Sequence, residues 1–197
     1  MKVGLYFGTF NPIHNGHLVV ADYMATQTDL DEVWLVVSPQ NPLKKEEDLL
    51  EDNLRLNLVK MGIQQKDKIQ VSDIEFELPI PSFTYQSLLH IQTKYQDYEF
   101  VLIIGEDNLA SFTKWRNHQE IADNFEIYVY PRKMEDSTLT GSQTETYYTH
   151  KNVKLFDVPM IPISSTDIRS NIKNTEYISR FLPQSVCEEV QKNQLYY

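Results

Sequence analysis

Short apolar runs rich in Val, Ile and aromatic residues alternate along this chain with stretches of helical spacing, and that alternation narrows the possible folds more than any other feature. The runs are Lys2 to Phe7, Val33 to Val37, Ile69 to Asp73, Phe100 to Ile104, Phe125 to Tyr130 and Val153 to Phe156, each with the length and composition of a strand. Between them Gly16 to Thr26, Asp52 to Gly62, Thr84 to Tyr95 and Asp107 to Asp123 carry helical spacing, the last interrupted near Lys114 to Asn117. Strand followed by helix, repeated, implies right-handed crossovers and a mostly parallel sheet covered on both faces, with ligands expected at the carboxyl ends of the strands.

The expected fold class is therefore α/β: a Rossmann-like open parallel sheet with helices on both faces. Ser165 to Ile172, Glu176 to Phe181 and Pro183 to Asn193 add a small C-terminal helical tail, about 163–197. With 197 residues and 41% hydrophobic positions the chain has material for one sizeable core, so a single domain over 1–197 is expected. The Ser/Thr/Glu-rich stretch Lys133 to His150 has no period and reads as a mobile surface loop.

A formal net charge of -10 opposes a nucleic-acid backbone over most of the surface, so no nucleic-acid partner is expected; a compact site can still gather enough His, Lys and Arg to hold a polyphosphate. Cys187 is the only cysteine, which excludes an intramolecular disulfide and a multi-cysteine metal site. No apolar run approaches membrane-spanning length and MKVGLYFGTF has no leader pattern, so a soluble, cytoplasmic protein is expected, with no membrane partner.

Chemistry is expected where the first strand ends, in Gly8-Thr9-Phe10-Asn11-Pro12-Ile13-His14-Asn15-Gly16-His17. Gly8 allows a ligand close to the backbone, and the amides of Thr9 and Phe10 can serve as anion donors. His14 and His17 bracket a helix start, where both rings and the positive end of the helix dipole can converge on one phosphate. A lone histidine at a loop edge means little, but Gly, Phe, Pro, His, Gly and His at fixed spacings between strand and helix are a specific signal. Neither a Gly-x-Gly-x-x-Gly run nor a P-loop run is present, which disfavours a dinucleotide dehydrogenase and a P-loop enzyme.

These residues resemble the nucleotidylyltransferase superfamily, whose signature is His-x-Gly-His in this position. Its second signature is matched by Ile163-Ser164-Ser165-Thr166-Asp167-Ile168-Arg169. Alone, Ser-Ser-Thr is usually a helix cap. Within the superfamily the match is to the bacterial nicotinate-nucleotide adenylyltransferases, carried by Ser38-Pro39-Gln40-Asn41-Pro42-Leu43-Lys44-Lys45, Pro81-Ser82-Phe83-Thr84-Tyr85, Ile104-Gly105-Glu106-Asp107-Asn108 and Phe112-Thr113-Lys114-Trp115. Two departures stand out: the closing Gln194-Leu195-Tyr196 lacks the glycine of the family's ending, and the stretch after Arg132 matches nothing in it.

The resemblance implies an adenylyltransferase acting on ATP and nicotinate mononucleotide, with Mg2+ bound mainly through the ATP phosphates and no dedicated protein metal site. It makes His14, His17 and Arg169 catalytic, and Gly8, Thr9, Phe10, Gly16, Gly105, Asp107, Ser165 and Thr166 ATP-binding. Lys44 or Lys45 supplies a further cation; without the resemblance this pair is a solvated charge cluster beside Glu46, Glu47 and Asp48. Thr84, Tyr85, Trp115 and Arg132 are assigned to the acceptor, although a core tryptophan is the competing reading of Trp115. No Arg or Lys adjoins Thr84 in sequence, so acid preference is expected to rest on backbone donors at that helix start. A homo-oligomer is an open expectation, and other phosphomonoester acceptors and a non-catalytic nucleotide sensor are the rival readings.

Overall fold

The computed structural model describes residues 1–39, 49–132 and 147–197. Among them six strands form one sheet: β1 Lys2–Gly8, β2 Glu32–Val37, β3 Ile69–Ser72, β4 Glu99–Gly105, β5 Glu126–Tyr130 and β6 Val153–Leu155. Every pairing is parallel and the order is β3-β2-β1-β4-β5-β6. The expected Rossmann-like α/β sheet is the observed one, its strand bounds shifted by no more than a residue or so.

The described helices are α1 Asn15–Gln27, α2 Asp52–Gly62, α3 Thr84–Lys94, α4 Glu106–Ala110, α5 His118–Asn124, α6 Ser165–Ser170, α7 Thr175–Phe181 and α8 Gln184–Lys192. The interruption expected near Lys114–Asn117 is present: a short 3-10 turn, Phe112–Lys114, separates α4 from α5, and Asn117 takes a left-handed conformation at φ 57° as the cap of α5.

Alternation along β1 and β2 divides the core. Tyr6, Leu35 and Val37 face α1, α2 and α8, meeting Met24, Leu58, Val59 and Val190. Leu5, Val36 and Leu102 face the other way, onto Leu88, Ile91, Phe112 and Ile121 from α3, the 3-10 turn and α5. Because both faces are covered, the strands read as near-continuous apolar runs. None of the described helices is long and apolar enough to cross a membrane.

The stretch Lys133 to His150 departs from expectation where it is described. Tyr147 is buried, its ring edge-on to Phe112 at 5.0 Å and its hydroxyl bonded to His118 Nδ1. An aromatic residue in a polar run found an apolar seat at Tyr147, while Thr149 beside it stays exposed; residues 133–146 lie outside the described residues.

The sheet order places β1 beside β4, with β2 and β3 extending one way and β5 and β6 the other. The connections reverse direction at that junction, and the chains leaving β1 and β4 diverge to open a crevice at their carboxyl ends.

Candidate active site

In that crevice lies a cavity of about 560 Å³, within the range of small-molecule sites. Its lining draws Gly8, Thr9 and Phe10 from the end of β1, His17 from α1, Thr84 from α3, Gly105 and Asp107 from the β4–α4 junction, Trp115 and Arg132, and Ser165, Thr166 and Arg169 from α6. Three expected residues, His14, Gly16 and Tyr85, are not in the lining. Lys44 and Lys45 lie outside the described residues.

The β1–α1 turn shows why its residues keep fixed spacings. His14 is the N-cap of α1: its Nδ1 accepts from the His17 amide, and His17 Nδ1 accepts from the His14 amide, both at 3.3 Å. The two rings stack at 3.7 Å between centroids. Gly16 is needed because a β-carbon there would meet the His14 ring at 3.0 Å. At Gly8 the missing β-carbon makes room for the Phe10 ring, 2.9 Å from where it would stand. Steric relief for a neighbouring ring, rather than ligand approach alone, thus explains both glycines. Phe10 itself is buried at φ 45°, a left-handed conformation that a side chain disfavours and that clusters at functional sites.

Since both Nδ1 atoms accept, the neutral rings carry their protons on Nε2. His14 is buried, and burial, aided by the charge of Arg132, pushes its pKa down to about 4 from the ordinary 6.5. The sign of the pH effect follows. On acidification the unfolded chain takes up this proton first, so the stability tied to a neutral His14 is complete above about pH 6.5 and is lost as pH falls toward 4, by about 3 kcal/mol. Urea unfolding of wild type and His14→Gln between pH 7 and 4 should show their stability difference shrinking across that window; parallel profiles would remove His14 as the cause.

At the other motif, Ser164 caps α6 by accepting from the Asp167 amide at 3.1 Å, and Asp167 accepts from the Ser164 amide at 3.0 Å. The capping duty therefore falls on Ser164 and Asp167, leaving Ser165 and Thr166 on the cavity wall. Ser165 Oγ donates to the Pro12 carbonyl at 2.9 Å and Arg169 Nη1 to the Asn11 carbonyl at 2.8 Å. Two motifs some 150 residues apart are thereby sewn into one wall.

The acceptor side differs from expectation in one respect. Phe83 caps α3 with no side-chain hydrogen bond to the helix start, as a backbone anion site requires, but the wall is not free of cations. Arg116 lies over the Phe83 ring at 5.2 Å and, with Lys114, lines the cavity. The chain folds back after the 3-10 turn, which brings these side chains toward Thr84 in space though not in sequence. Tyr85 is partly buried and packs against the apolar cluster around Leu88. Trp115 packs on Phe112 at 5.3 Å between ring centroids and also lines the cavity.

Arg132 pairs with Asp107, Nη1 to Oδ2 at 3.3 Å. Asp107 Oδ1 and Trp115 Nε1 are buried without a hydrogen-bond partner among the described residues. Four cations, Lys114, Arg116, Arg132 and Arg169, face two described acids, Asp107 and Glu75, so the cavity is locally positive within an acidic protein.

Sequence reasoning missed Tyr6, Tyr130, Asn11, Glu75, Lys114 and Arg116 as wall residues. Tyr6 and Tyr130 join hydroxyls at 3.0 Å beneath the site; their alternation in β1 and β5 marked them only as core. Glu75 is buried and accepts from Ser87, and burial raises its pKa against the pull of Ser38, Ser87 and Ser82. A lone acid in an acidic stretch gives no such signal.

Residues 5–171 match the model of the cytidylyltransferase-like family. The chain belongs to this family. It is 47% identical to the probable nicotinate-nucleotide adenylyltransferase of Flavobacterium psychrophilum, over all of this chain and 99% of that protein. Identity to the probable nicotinate-nucleotide adenylyltransferase of Cytophaga hutchinsonii is also 47%, over all of this chain and 98% of its relative. Membership therefore extends to the nicotinate-nucleotide adenylyltransferase group. Among solved structures, the Plasmodium falciparum nicotinic acid mononucleotide adenylyltransferase complexed with NaAD superposes with a TM-score of 0.79 at 20% identity, covering 99% of this chain and 97% of that one. That likeness bears on the fold.

Proposed function

We propose that this chain transfers the adenylyl group of ATP to nicotinate mononucleotide, giving deamido-NAD and pyrophosphate, in NAD biosynthesis. The observation that carries the reading is the joined wall, in which Arg169 and Ser165 of one motif bond the Asn11 and Pro12 carbonyls of the other. Full-length identity to proteins named for this activity supports the choice of substrates.

In this scheme an acceptor phosphate oxygen attacks the α-phosphorus in line. The new P–O bond forms as the bond to the bridging α–β oxygen breaks, and pyrophosphate leaves with that electron pair. The attacking oxygen is already ionised at neutral pH, so the chain need supply no nucleophile; alignment and charge neutralisation are enough. His17 presents its Nε2–H to the transferring phosphate. His14, neutral behind it, holds the ring of His17 and the start of α1 in place. Ser165, Thr166 and Arg169 hold the leaving group, and Gly105 and Asp107 the nucleoside of ATP.

A magnesium ion would enter with the triphosphate, into a cavity whose described acids are Asp107 and Glu75. Phosphate oxygens and water would supply its hard ligands, so it would demand little of the protein, and bound with ATP it would offset phosphate charge. Lys44 and Lys45 are proposed as added cations only.

The pyridine carboxylate is assigned to the start of α3, where no side chain caps the helix and Thr84 borders the cavity. Helix dipole and amides favour an anion there, and Arg116 and Lys114 in the same wall add to that preference. An amide would bring NH2 donors against these N–H groups, at about 1 to 3 kcal/mol. The deciding test compares kcat/KM for nicotinate and nicotinamide mononucleotides with ATP and magnesium: the acid should lead by at least about tenfold. Equal rates, or preference for the amide, would refute the acceptor assignment.

A further inference from the structure

A charged side chain that motif reading passes over stands at the centre of the site's architecture. Arg55 lies on α2 and is fully buried. A guanidinium has five N–H donors, and here five acceptors surround it. Nε donates to the Leu50 carbonyl at 2.8 Å; Nη1 donates to the carbonyls of Thr9 and Ser38, the latter at 2.8 Å; Nη2 donates to the Pro39 carbonyl at 3.1 Å and to Asp52 Oδ1. Four of the five partners are backbone carbonyls of the turns that follow β1 and β2, or of the segment entering α2. A residue serving only as ballast for the fold would be cheaper as a leucine, since burying a charge costs free energy unless every donor is matched.

The Thr9 contact has a directional consequence. Among the described residues the cis peptide bonds are Asn11–Pro12 and Ile80–Pro81, so the Thr9–Phe10 peptide is trans and its C=O and N–H point opposite ways. With the carbonyl drawn down to Arg55, the Phe10 N–H is turned up, to the side where Thr9 and Phe10 line the cavity. The peptide before it is held likewise: the Gly8 carbonyl accepts from the Ser38 amide at 2.9 Å, and the Ser38 carbonyl returns to Arg55. Phe10 at φ 45° is a conformation that persists only where its surroundings enforce it.

We propose that Arg55 is a positioning residue for adenylyl transfer, its buried fork fixing the Thr9–Phe10 peptide so that the Phe10 amide faces the transferring phosphate. The inference rests on the adenylyl-transfer reading for its chemistry, and on the Arg55 contacts alone for its geometry. Arg55 touches no substrate; it acts through the peptide it holds.

Arg55→Lys keeps the charge near Asp52 but cannot reach four carbonyls at once. It should lower kcat about twentyfold, because an amide that is no longer aimed stabilises the transition state less, while KM for nicotinate mononucleotide stays within about twofold. In the ligand-free protein the Phe10 amide resonance, read by 15N–1H NMR, should move, while resonances of Val36 and Ile103 in the sheet stay fixed. A variant that melts earlier but keeps wild-type kcat and an unmoved Phe10 resonance would overturn the assignment, leaving Arg55 a stabilising residue only. If Arg55→Lys does not fold, Asp52→Ala, which frees one Nη2 hydrogen bond at a half-exposed partner, decides on the same readouts, with kcat expected to fall about threefold. Wild type assayed alongside separates the two ideas: an inactive wild type refutes the substrate reading, and the Phe10 resonance then decides for or against Arg55 by itself.

Discussion

An alanine in place of His17 should cut kcat about a hundredfold while leaving the fold standing. The expectation follows from geometry at both nitrogens. Nδ1 accepts from the His14 amide, which sets the ring's tautomer and puts the proton on Nε2 of a cavity-lining residue. His14 and Phe10 hold the ring from two sides, at 3.7 and 5.1 Å between centroids, so the donor is oriented before substrate arrives. Loss of a preorganised donor to charge that grows in the transition state costs about 2.7 to 4 kcal/mol. The stability cost is smaller, since only one half of the capping box goes, about 1 kcal/mol. Single-turnover kinetics on protein shown folded by circular dichroism separates the two. His17→Gln, which restores an NH donor of similar reach, should recover part of the rate. Turnover near wild type in His17→Ala would take the residue out of the chemistry.

What was legible in the sequence divides along a physical line. Strands buried on both faces had to be apolar runs, and all six are where the runs are. Helix α2 falls at Asp52–Gly62, as its spacing predicts. Local patterns of this kind express burial and capping, and burial and capping are what sequence records best. The order of strands is set by crossovers, which no local pattern carries, and that order is what brings β1 against β4 and opens the cavity. Arg55 was invisible for a related reason: an arginine on an amphipathic helix reads as a solvated face, and only the turns after β1 and β2, arriving from elsewhere in the chain, convert it to a buried fork. Lys114 was likewise read only as part of the stretch that ends in Trp115, and Arg116 was not singled out at all. Their approach to the start of α3 depends on the 3-10 turn that redirects the chain. Tyr147 shows the reverse error, where polar composition hid an aromatic with a seat in the core.

Replacing Arg169 with alanine should lower kcat/KM for ATP about a hundredfold, and the loss should appear most clearly in the reverse reaction as a raised KM for pyrophosphate. Arg169 Nη1 is tied to the Asn11 carbonyl at 2.8 Å and Nη2 lies 3.5 Å from Thr166 Oγ1, so the guanidinium is steered by the wall and still has N–H donors to give. Hydrogen bonds from a charged donor contribute about 1.5 to 3 kcal/mol each, and a single pair lost to a departing pyrophosphate accounts for a hundredfold without any change at the α-phosphorus. Lysine is no substitute, because a point charge cannot bond the Asn11 carbonyl and two phosphate oxygens in one plane; Arg169→Lys should regain only about tenfold of the loss. Removing Arg169 also removes its hydrogen bond to the Asn11 carbonyl, so a general loosening of the turn has to be told apart from loss of grip on the leaving group. The two differ in substrate dependence. A loosened turn would depress kcat with either nucleotide in either direction, whereas a lost grip raises KM for pyrophosphate and leaves KM for nicotinate mononucleotide near wild type. If KM for pyrophosphate does not move, Arg169 belongs to the wall and the leaving group is held by others.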